Sequence, residues 1–323
     1  MAGPKISTTA SSSPIKGVDS DNASLNVGSR ATSKKNAFKN YALAMFGEFL
    51  GTFLFLFFAF GGTQAAKINH NGSGSFPKDP TRAVPTPELL LYVSFCFGFA
   101  LTVNVWVFYR VTGALFNPAI TLGCILTGGV PPLKGALMGI AQLVGGIVAS
   151  GLVEVLTPGK LAVGTSLAPD VSVVQGLFIE VFLTAQLMIT IFLLAVEKHR
   201  ATFIAPLGIG LSFFITQLFG IYFTGGSLNP ARSLGPAIIT RDFPSYHWIY
   251  WVGPALGAAL GALVYKILLF VNYKTLNPGQ DDDGLGIVRC EIDRKGKFKE
   301  TQNEGQEISG PSETTPRPAD ENV

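Results

Sequence analysis

Two short stretches decide the fold of this chain: TGALFNPAI at residues 112–120 and TGGSLNPARS at residues 224–233. Each follows a long apolar segment and contains the tripeptide Asn-Pro-Ala. Each is too short to cross a hydrocarbon core of about 30 Å, yet too apolar for a solvated loop. Backbone at membrane depth that is not a full helix is tolerated only inside protein or against a water-filled cavity. We therefore predict that both stretches are re-entrant segments.

The rest of the chain supplies the membrane spans. Each apolar segment has about 20–25 residues, which is enough for a transmembrane helix at about 1.5 Å per residue. Of the 45 charged side chains, only 21 lie between residues 38 and 274, so charge is concentrated in polar ends at 1–37 and 275–323. We predict disordered tails at both ends and six spans between them, at about 41–65, 89–109, 132–156, 172–196, 203–223 and 247–271.

The six spans divide into two similar halves, about 38–156 and 171–274. Each half has Asn-Pro-Ala after its second span and one glutamate in its first, Glu48 and Glu180. Three spans are an odd number, so the second half enters the membrane from the other side. This order predicts an inverted repeat whose re-entrant segments meet near the midplane. With both tails on one side, that side holds 18 Lys and Arg residues against 6 opposite, which predicts cytoplasmic termini.

The Asn-Pro-Ala tripeptide has a physical meaning at each site, Asn117-Pro118-Ala119 and Asn229-Pro230-Ala231. Asn favours the N-cap and Pro the first position of a helix, which predicts short helices to about Leu126 and Ile239. In an inverted pair the two N-termini face each other, each with about half a positive charge. If both Asn amides donate to one passing water, that water cannot relay a proton, whereas neutral molecules still pass. A single copy would be an ordinary helix cap, but two copies in opposed halves indicate a pore.

With these features the sequence resembles the major intrinsic proteins, and among them a fungal aquaporin of the water-conducting type, over about residues 41–273. The resemblance implies an all-α membrane protein with two re-entrant half-helices, assembled as a homotetramer with one pore in each subunit. It implies that Glu48 and Glu180 hold the re-entrant loops by accepting backbone N–H bonds. It also implies a narrowest point, the selectivity filter, built from Phe97, Gln217, Gly226 and Arg232.

Departures from the family pattern bear on the solute. Water-selective members usually have histidine at the position of Gln217, and many have cysteine at Gly226. Glutamine is neutral at every pH and offers one acceptor and two donors, so we expect a polar opening at least as wide as the water-strict form. Glycerol-passing members usually have Asp where Ser233 stands and smaller residues at Tyr250-Trp251. We therefore predict a passive channel for water, with hydrogen peroxide as a second solute; a glycerol or small neutral solute channel is the alternative.

Other functional classes find less support. A secondary transporter also uses inverted repeats, but it would need ion-coupling carboxylates, and only the two glutamates are available. We expect neither catalytic residues nor a cofactor or metal site, since no Ser/His/Asp, paired-carboxylate or metal-ligand grouping lies in the core. A net charge of +3 without a basic stripe predicts no nucleic-acid partner. Asn71, in Asn-Gly-Ser on the outward loop, is a glycosylation candidate, and the plasma membrane is the expected location.

Overall fold

The computed structural model describes residues 34–69, 86–277, 280, 289–292 and 298–301. Most of the two predicted tails and the glycosylation candidate Asn71 lie outside these residues. The chain divides into two units, Met1–Asn40 and Tyr41–Val323. The described part of the first unit, residues 34–40, is helical. All packing described below belongs to the second unit.

Six long helices form the body of the second unit, and the first of them begins in the first unit. Within the described residues, these six are long and apolar enough to cross a membrane, as predicted. The first begins earlier than predicted because polar residues before the apolar core continue the helix. The fourth of these six helices, which begins at Val173, is followed by a π-helical turn, Phe192–Val196. A 3₁₀ turn, Arg200–Ile204, then leads into the next long helix. The six are α1 (Lys34–Asn69), α2 (Pro87–Thr112), α4 (Pro132–Leu156), α5 (Val173–Ile191), α6 (Ala205–Thr224) and α8 (Ile249–Phe270).

Two half-helices occupy the predicted re-entrant stretches: α3 (Pro118–Leu126) and α7 (Pro230–Thr240). In both, an asparagine in extended conformation precedes the helix and a proline opens it, as capping preferences require. The first ends at the predicted residue and the second one residue later. Within the described residues 34–69 and 86–277, the protein is therefore an all-α membrane protein with six transmembrane helices and two half-helices in an inverted repeat of three plus three.

The repeat is also visible in the packing. The half-helix α3 lies against α8, and α7 lies against α4, so each contacts the last long helix of the opposite half. Along the main seams, α2 packs on α6 and α5 on α8. Small residues allow the close approach of α7 to α4, because a β-carbon at Gly235 would collide with the carbonyl oxygen of Gly146. These contacts hold the start of each half-helix at a fixed place in the interior.

Two short strands lie in the C-terminal segment that the sequence predicted to be disordered. Strands β1 (Arg289–Ile292) and β2 (Phe298–Thr301) pair antiparallel, with Arg289 opposite Thr301 and Ile292 opposite Phe298. Apolar and charged residues alternate in part of both strands, as the two-residue period of a strand allows.

Candidate functional site

The two half-helices meet through a reciprocal pair of hydrogen bonds. Asn117 Nδ2 donates to the carbonyl oxygen of Leu228 at 2.7 Å, and Asn229 Nδ2 donates to that of Phe116 at 2.9 Å. Each asparagine Oδ1 also caps its own helix by accepting the backbone N–H two residues on, at 2.9 Å. Both side chains are buried and held at both ends. One N–H of each amide is thus committed to the opposite loop, which leaves one N–H on each for another acceptor.

A buried glutamate holds each loop. Glu48 accepts the backbone N–H of Leu115 at 3.2 Å and of Phe116 at 2.8 Å. Glu180 accepts those of Ser227 at 2.9 Å and Leu228 at 2.7 Å. Both carboxylates are fully buried. The two halves of the repeat therefore hold their loops in the same way.

Phe116 and Leu228 take part in both the asparagine bonds and the glutamate bonds. Each donates its N–H to the glutamate of its own half and accepts, through its carbonyl, the asparagine of the other half. Both have positive φ, 50° and 52°, a left-handed conformation that costs roughly 1–2 kcal/mol for a residue with a side chain. The glutamate bonds stabilise this conformation, which turns the carbonyl toward the opposite asparagine.

Further polar contacts, which the sequence did not single out, complete each glutamate's environment. Gln142 of α4 donates to Glu48 at 2.7 Å and to the hydroxyl of Thr121 at 2.9 Å. On the other side, the hydroxyl of Thr224 donates to Glu180 at 2.6 Å. The available signal for Gln142 was a polar residue in the middle of an apolar span.

Arg232 follows the second asparagine motif and is buried, with its guanidinium bonded to three carbonyl oxygens. Nε donates to Gly226 at 3.2 Å, Nη2 to Gly225 at 3.2 Å, and Nη1 to Val163 at 2.6 Å. The rings of Phe97 and Phe60 lie 5.0 and 5.5 Å from its Cζ, within range of cation–π attraction. The sequence did not identify Phe60 or Val163, because no residue pattern around either one indicates a contact with Arg232.

Gln217 and Gly226 complete this group, which we call the Arg232 cluster: Arg232, Phe60, Phe97, Gln217 and Gly226. Gln217 Nε2 donates to the Gly226 carbonyl at 3.1 Å, so its amide orientation is fixed. Gln217 Oε1 is buried and has no hydrogen-bond partner among the described residues. A β-carbon at position 226, where φ is 61°, would collide with that oxygen. The cluster brings together all four residues that the family resemblance named.

A cavity of about 30 Å³ adjoins the asparagine pair. This volume is enough for water-sized molecules, which need at least about 10–15 Å³. Apolar side chains form most of its wall, and the asparagines contribute polar atoms. Its lining includes Phe55, Leu101, Val105, Phe213, Asn117 and Asn229. Within the described residues, no group of three or more His, Cys, Asp or Glu side chains is placed to hold a metal ion.

Comparison with known proteins assigns the family. The family model described as "Major intrinsic protein" matches residues 34–265. The chain belongs to the major intrinsic protein family. Its relatives include Aquaporin-7 of Botryotinia fuckeliana, 53% identical over 256 residues, which are 78% of this chain and 55% of that protein. Aquaporin-1 of Gibberella zeae is 47% identical over 252 residues, 78% of this chain and 77% of that protein.

This major intrinsic protein spans only about half the length of some of the relatives that it matches. Among solved structures, the aquaglyceroporin from Plasmodium falciparum has a TM-score of 0.59 at 23% identity, covering 73% of this chain and all of that one. At this identity the likeness shows the fold alone. Family membership and six apolar helices make the chain a multi-pass membrane protein of a channel family.

Proposed function

We propose that the protein is a passive transmembrane channel for water, with hydrogen peroxide as a second permeant, and that it excludes protons and other ions. The observation that supports this most directly is the reciprocal bonding of Asn117 and Asn229. It brings two helix N-termini together in the interior, each with about half a positive charge. In a surrounding of low dielectric, that positive potential opposes the entry of a cation.

Proton exclusion follows from the second N–H of each amide. In this proposal both donate to the oxygen of one passing water molecule, whose lone pairs are then occupied. That water cannot accept a proton or hydrogen bond from its neighbours, so the chain of waters is interrupted for proton transfer. A neutral molecule passes at low energetic cost, because hydrogen bonds from the two amides replace those that it loses with neighbouring waters. Asn117, Pro118 and Ala119 with Asn229, Pro230 and Ala231 are the proposed pore motifs.

The Arg232 cluster is the proposed selectivity filter, formed by Phe97, Gln217, Gly226 and Arg232. Three of the five guanidinium N–H donors are bonded to carbonyls. The remaining donors, together with Gln217 Oε1, which has no hydrogen-bond partner among the described residues, would offer a permeant both donors and an acceptor. Water and hydrogen peroxide carry both kinds of group and little bulk. The fixed charge of Arg232 adds a second barrier to cations.

Glycerol conduction is the main alternative. The side chains near the filter argue against it: Tyr250 is fully buried and donates to the carbonyl of Thr224 at 2.9 Å, and Phe60 occupies one side of Arg232.

A secondary transporter is the other alternative. It would need a carboxylate that binds the coupling ion and changes its hydrogen-bond partners during transport. Glu48 and Glu180 are instead engaged by backbone N–H groups. We propose a structural role for both.

We further propose a homotetramer with one pore per subunit, located in the plasma membrane with cytoplasmic termini. One feature of the outer face supports self-association. Gln186 is exposed on α5 in the middle of a span, where its amide donates to Thr190 at 3.3 Å. A polar side chain facing lipid is costly, so this face is suited to contact with a second copy. No nucleic acid or cofactor takes part in this proposal.

The test is a permeant panel in proteoliposomes with stopped-flow detection. We expect rapid osmotic water flux, measurable peroxide entry, and glycerol entry close to that of empty liposomes. Gln217→His removes the free amide oxygen and should cut peroxide flux more than water flux. Glycerol entry far above empty liposomes would make the protein a glycerol channel. Saturable uptake that follows an ion gradient would make it a transporter.

A further inference from the structure

One of the three carbonyls on Arg232 comes from outside its own loop. Gly225 and Gly226 belong to the loop before α7, whereas Val163 belongs to residues 157–172, the connection between the two halves of the repeat. The Val163 bond, at 2.6 Å, is the shortest of the three. The orientation of the guanidinium therefore depends on where this connection places one carbonyl group.

The connection has little regular structure of its own to fix that carbonyl, since residues 161–168 contain neither helix nor strand. Leu161, Ala162 and Val163 are nevertheless buried. Buried backbone without secondary structure needs side chains to satisfy its polar groups. Two side chains of α1, Gln64 and Lys67, do this.

Gln64 and Lys67 bind three backbone polar groups of the connection, on Lys160 and Ala162. Gln64 Nε2 donates to the Lys160 carbonyl at 2.9 Å, and Gln64 Oε1 accepts the Ala162 N–H at 2.8 Å. Lys67 Nζ donates to the Ala162 carbonyl at 2.5 Å. Gln64 Nε2 and Oε1 thus bond to this backbone as the N–H and C=O groups of a neighbouring β-strand would. The residue after this clamp is Val163.

We propose that Gln64 and Lys67 are positioning residues for Arg232: they clamp residues 160–162 to α1, fix the Val163 carbonyl, and so set the selectivity of the pore. This inference rests on the proposed function. Without the clamp, the Val163 carbonyl moves and the guanidinium loses its shortest bond. Arg232 keeps its two bonds to the loop before α7 but can swing, and the opening then admits larger neutral solutes.

The clamp predicts a change in selectivity and not a loss of flow. In Lys67→Met and in Gln64→Leu, water permeability should stay near wild type. The ratio of glycerol to water permeability should rise about three- to tenfold, the scale of one lost hydrogen bond. Lys67→Arg keeps a donor and a charge and should restore the wild-type ratio.

Lys160→Met is the matched control. Lys160 lies on the same connection and is exposed, and only its backbone carbonyl takes part in the clamp. Its replacement removes an equal charge from the same region and should leave the ratio unchanged. A second control combines Lys67→Met with Arg232→Ala. Because the lysine acts through the arginine, its replacement should add nothing in that background.

The experiment is stopped-flow water and glycerol flux on each purified variant in proteoliposomes, beside the wild type. Wild-type ratios in both Lys67→Met and Gln64→Leu would overturn the inference. So would an equal effect of Lys160→Met, or a full effect of Lys67→Met without Arg232. If one of the two variants fails to fold, the other decides. A wild type that conducts no water, or conducts glycerol freely, would instead contradict the proposed function.

Discussion

Replacing either buried glutamate by alanine should destabilise the protein by a similar amount in the two halves of the repeat. Glu48→Ala leaves the N–H groups of Leu115 and Phe116 without their acceptor, and Glu180→Ala does so for Ser227 and Leu228. A buried donor without a partner costs about 1–3 kcal/mol, so each variant should lose about 2–6 kcal/mol. The positive φ at Phe116 and Leu228 adds to this cost, because the bonds that stabilise it are gone.

The assay is thermal unfolding of the purified protein in detergent, with water flux of the same preparation in liposomes. We expect Tm to fall by about 5 °C or more in both alanine variants. Glu180→Gln should lie between wild type and Glu180→Ala, since an amide keeps one acceptor oxygen. Flux should fall as well, because the loops that hold the opposing asparagines lose their position.

Glu154→Ala provides the matched control. Glu154 lies on α4 in the same membrane-spanning part of the chain, and its Oε2 is buried without a hydrogen-bond partner among the described residues. Its replacement breaks no hydrogen bond of that oxygen and should therefore not lower Tm. The reasoning would be refuted if Glu48→Ala and Glu180→Ala unfold at the wild-type temperature, or if Glu154→Ala is destabilised as much as they are.

Three further predictions concern the Arg232 cluster and the ends of the spans. Arg232→Ala should raise glycerol and small-cation flux, measured by liposome swelling and by dye-reported ion entry; unchanged selectivity would remove this residue from the filter. Gly226→Cys should reduce water flux, because its β-carbon displaces the Gln217 amide into the opening, and Gln217→Ala in the same chain should restore flow; normal flux in the single variant would contradict this. Burial alone would raise the pKa of Glu197, but hydrogen bonds from Lys274 and Tyr265 outweigh it, and its pKa lies below the usual glutamate range. The ion pair with Lys274 therefore stabilises the protein at neutral pH. This contribution is lost as the pH falls from the ordinary glutamate pKa through the lower pKa of the folded protein. Lys274→Gln should make Tm less dependent on pH in this acidic range, and an unaltered dependence would count against it.

Local signals in the sequence were sufficient for the elements of the fold. Asparagine and proline at the two motifs predicted where α3 and α7 begin, since capping and the first helical turn depend on adjacent residues. The six spans followed from length and hydropathy, because bilayer thickness sets the number of residues required. The inverted repeat followed from counting: three spans per half place the second copy in the opposite orientation.

The partners of Arg232 were only partly predictable. Phe97 and Gln217 came from the family resemblance, and no local pattern identifies either one. Phe60 shares α1 with Phe58, which is 60% exposed, while Phe60 itself is fully buried. Composition treats both as apolar residues of one span. Phe60 instead packs against Phe97 of α2 and against Arg232 of α7, which lies 172 positions along the chain, and a periodicity argument does not contain such contacts.

Polar residues inside apolar spans were the signal that sequence reasoning underused. Gln64 and Gln142 are both fully buried in long apolar helices, and each has a specific backbone or carboxylate partner. An amide in such a position requires partners, so its presence predicts a contact. The sequence cannot say which contact, because Lys160 and Glu48 lie more than 90 residues from their partners.

The proposed function requires that water pass between the two opposed asparagines while protons do not. Its most direct test measures both fluxes on the same proteoliposomes, with light scattering for water and an enclosed pH dye for protons under an imposed gradient. We expect water flux far above that of empty liposomes, together with proton flux equal to theirs. Water flux no greater than that of empty liposomes, or proton flux that rises with the amount of protein, would contradict it.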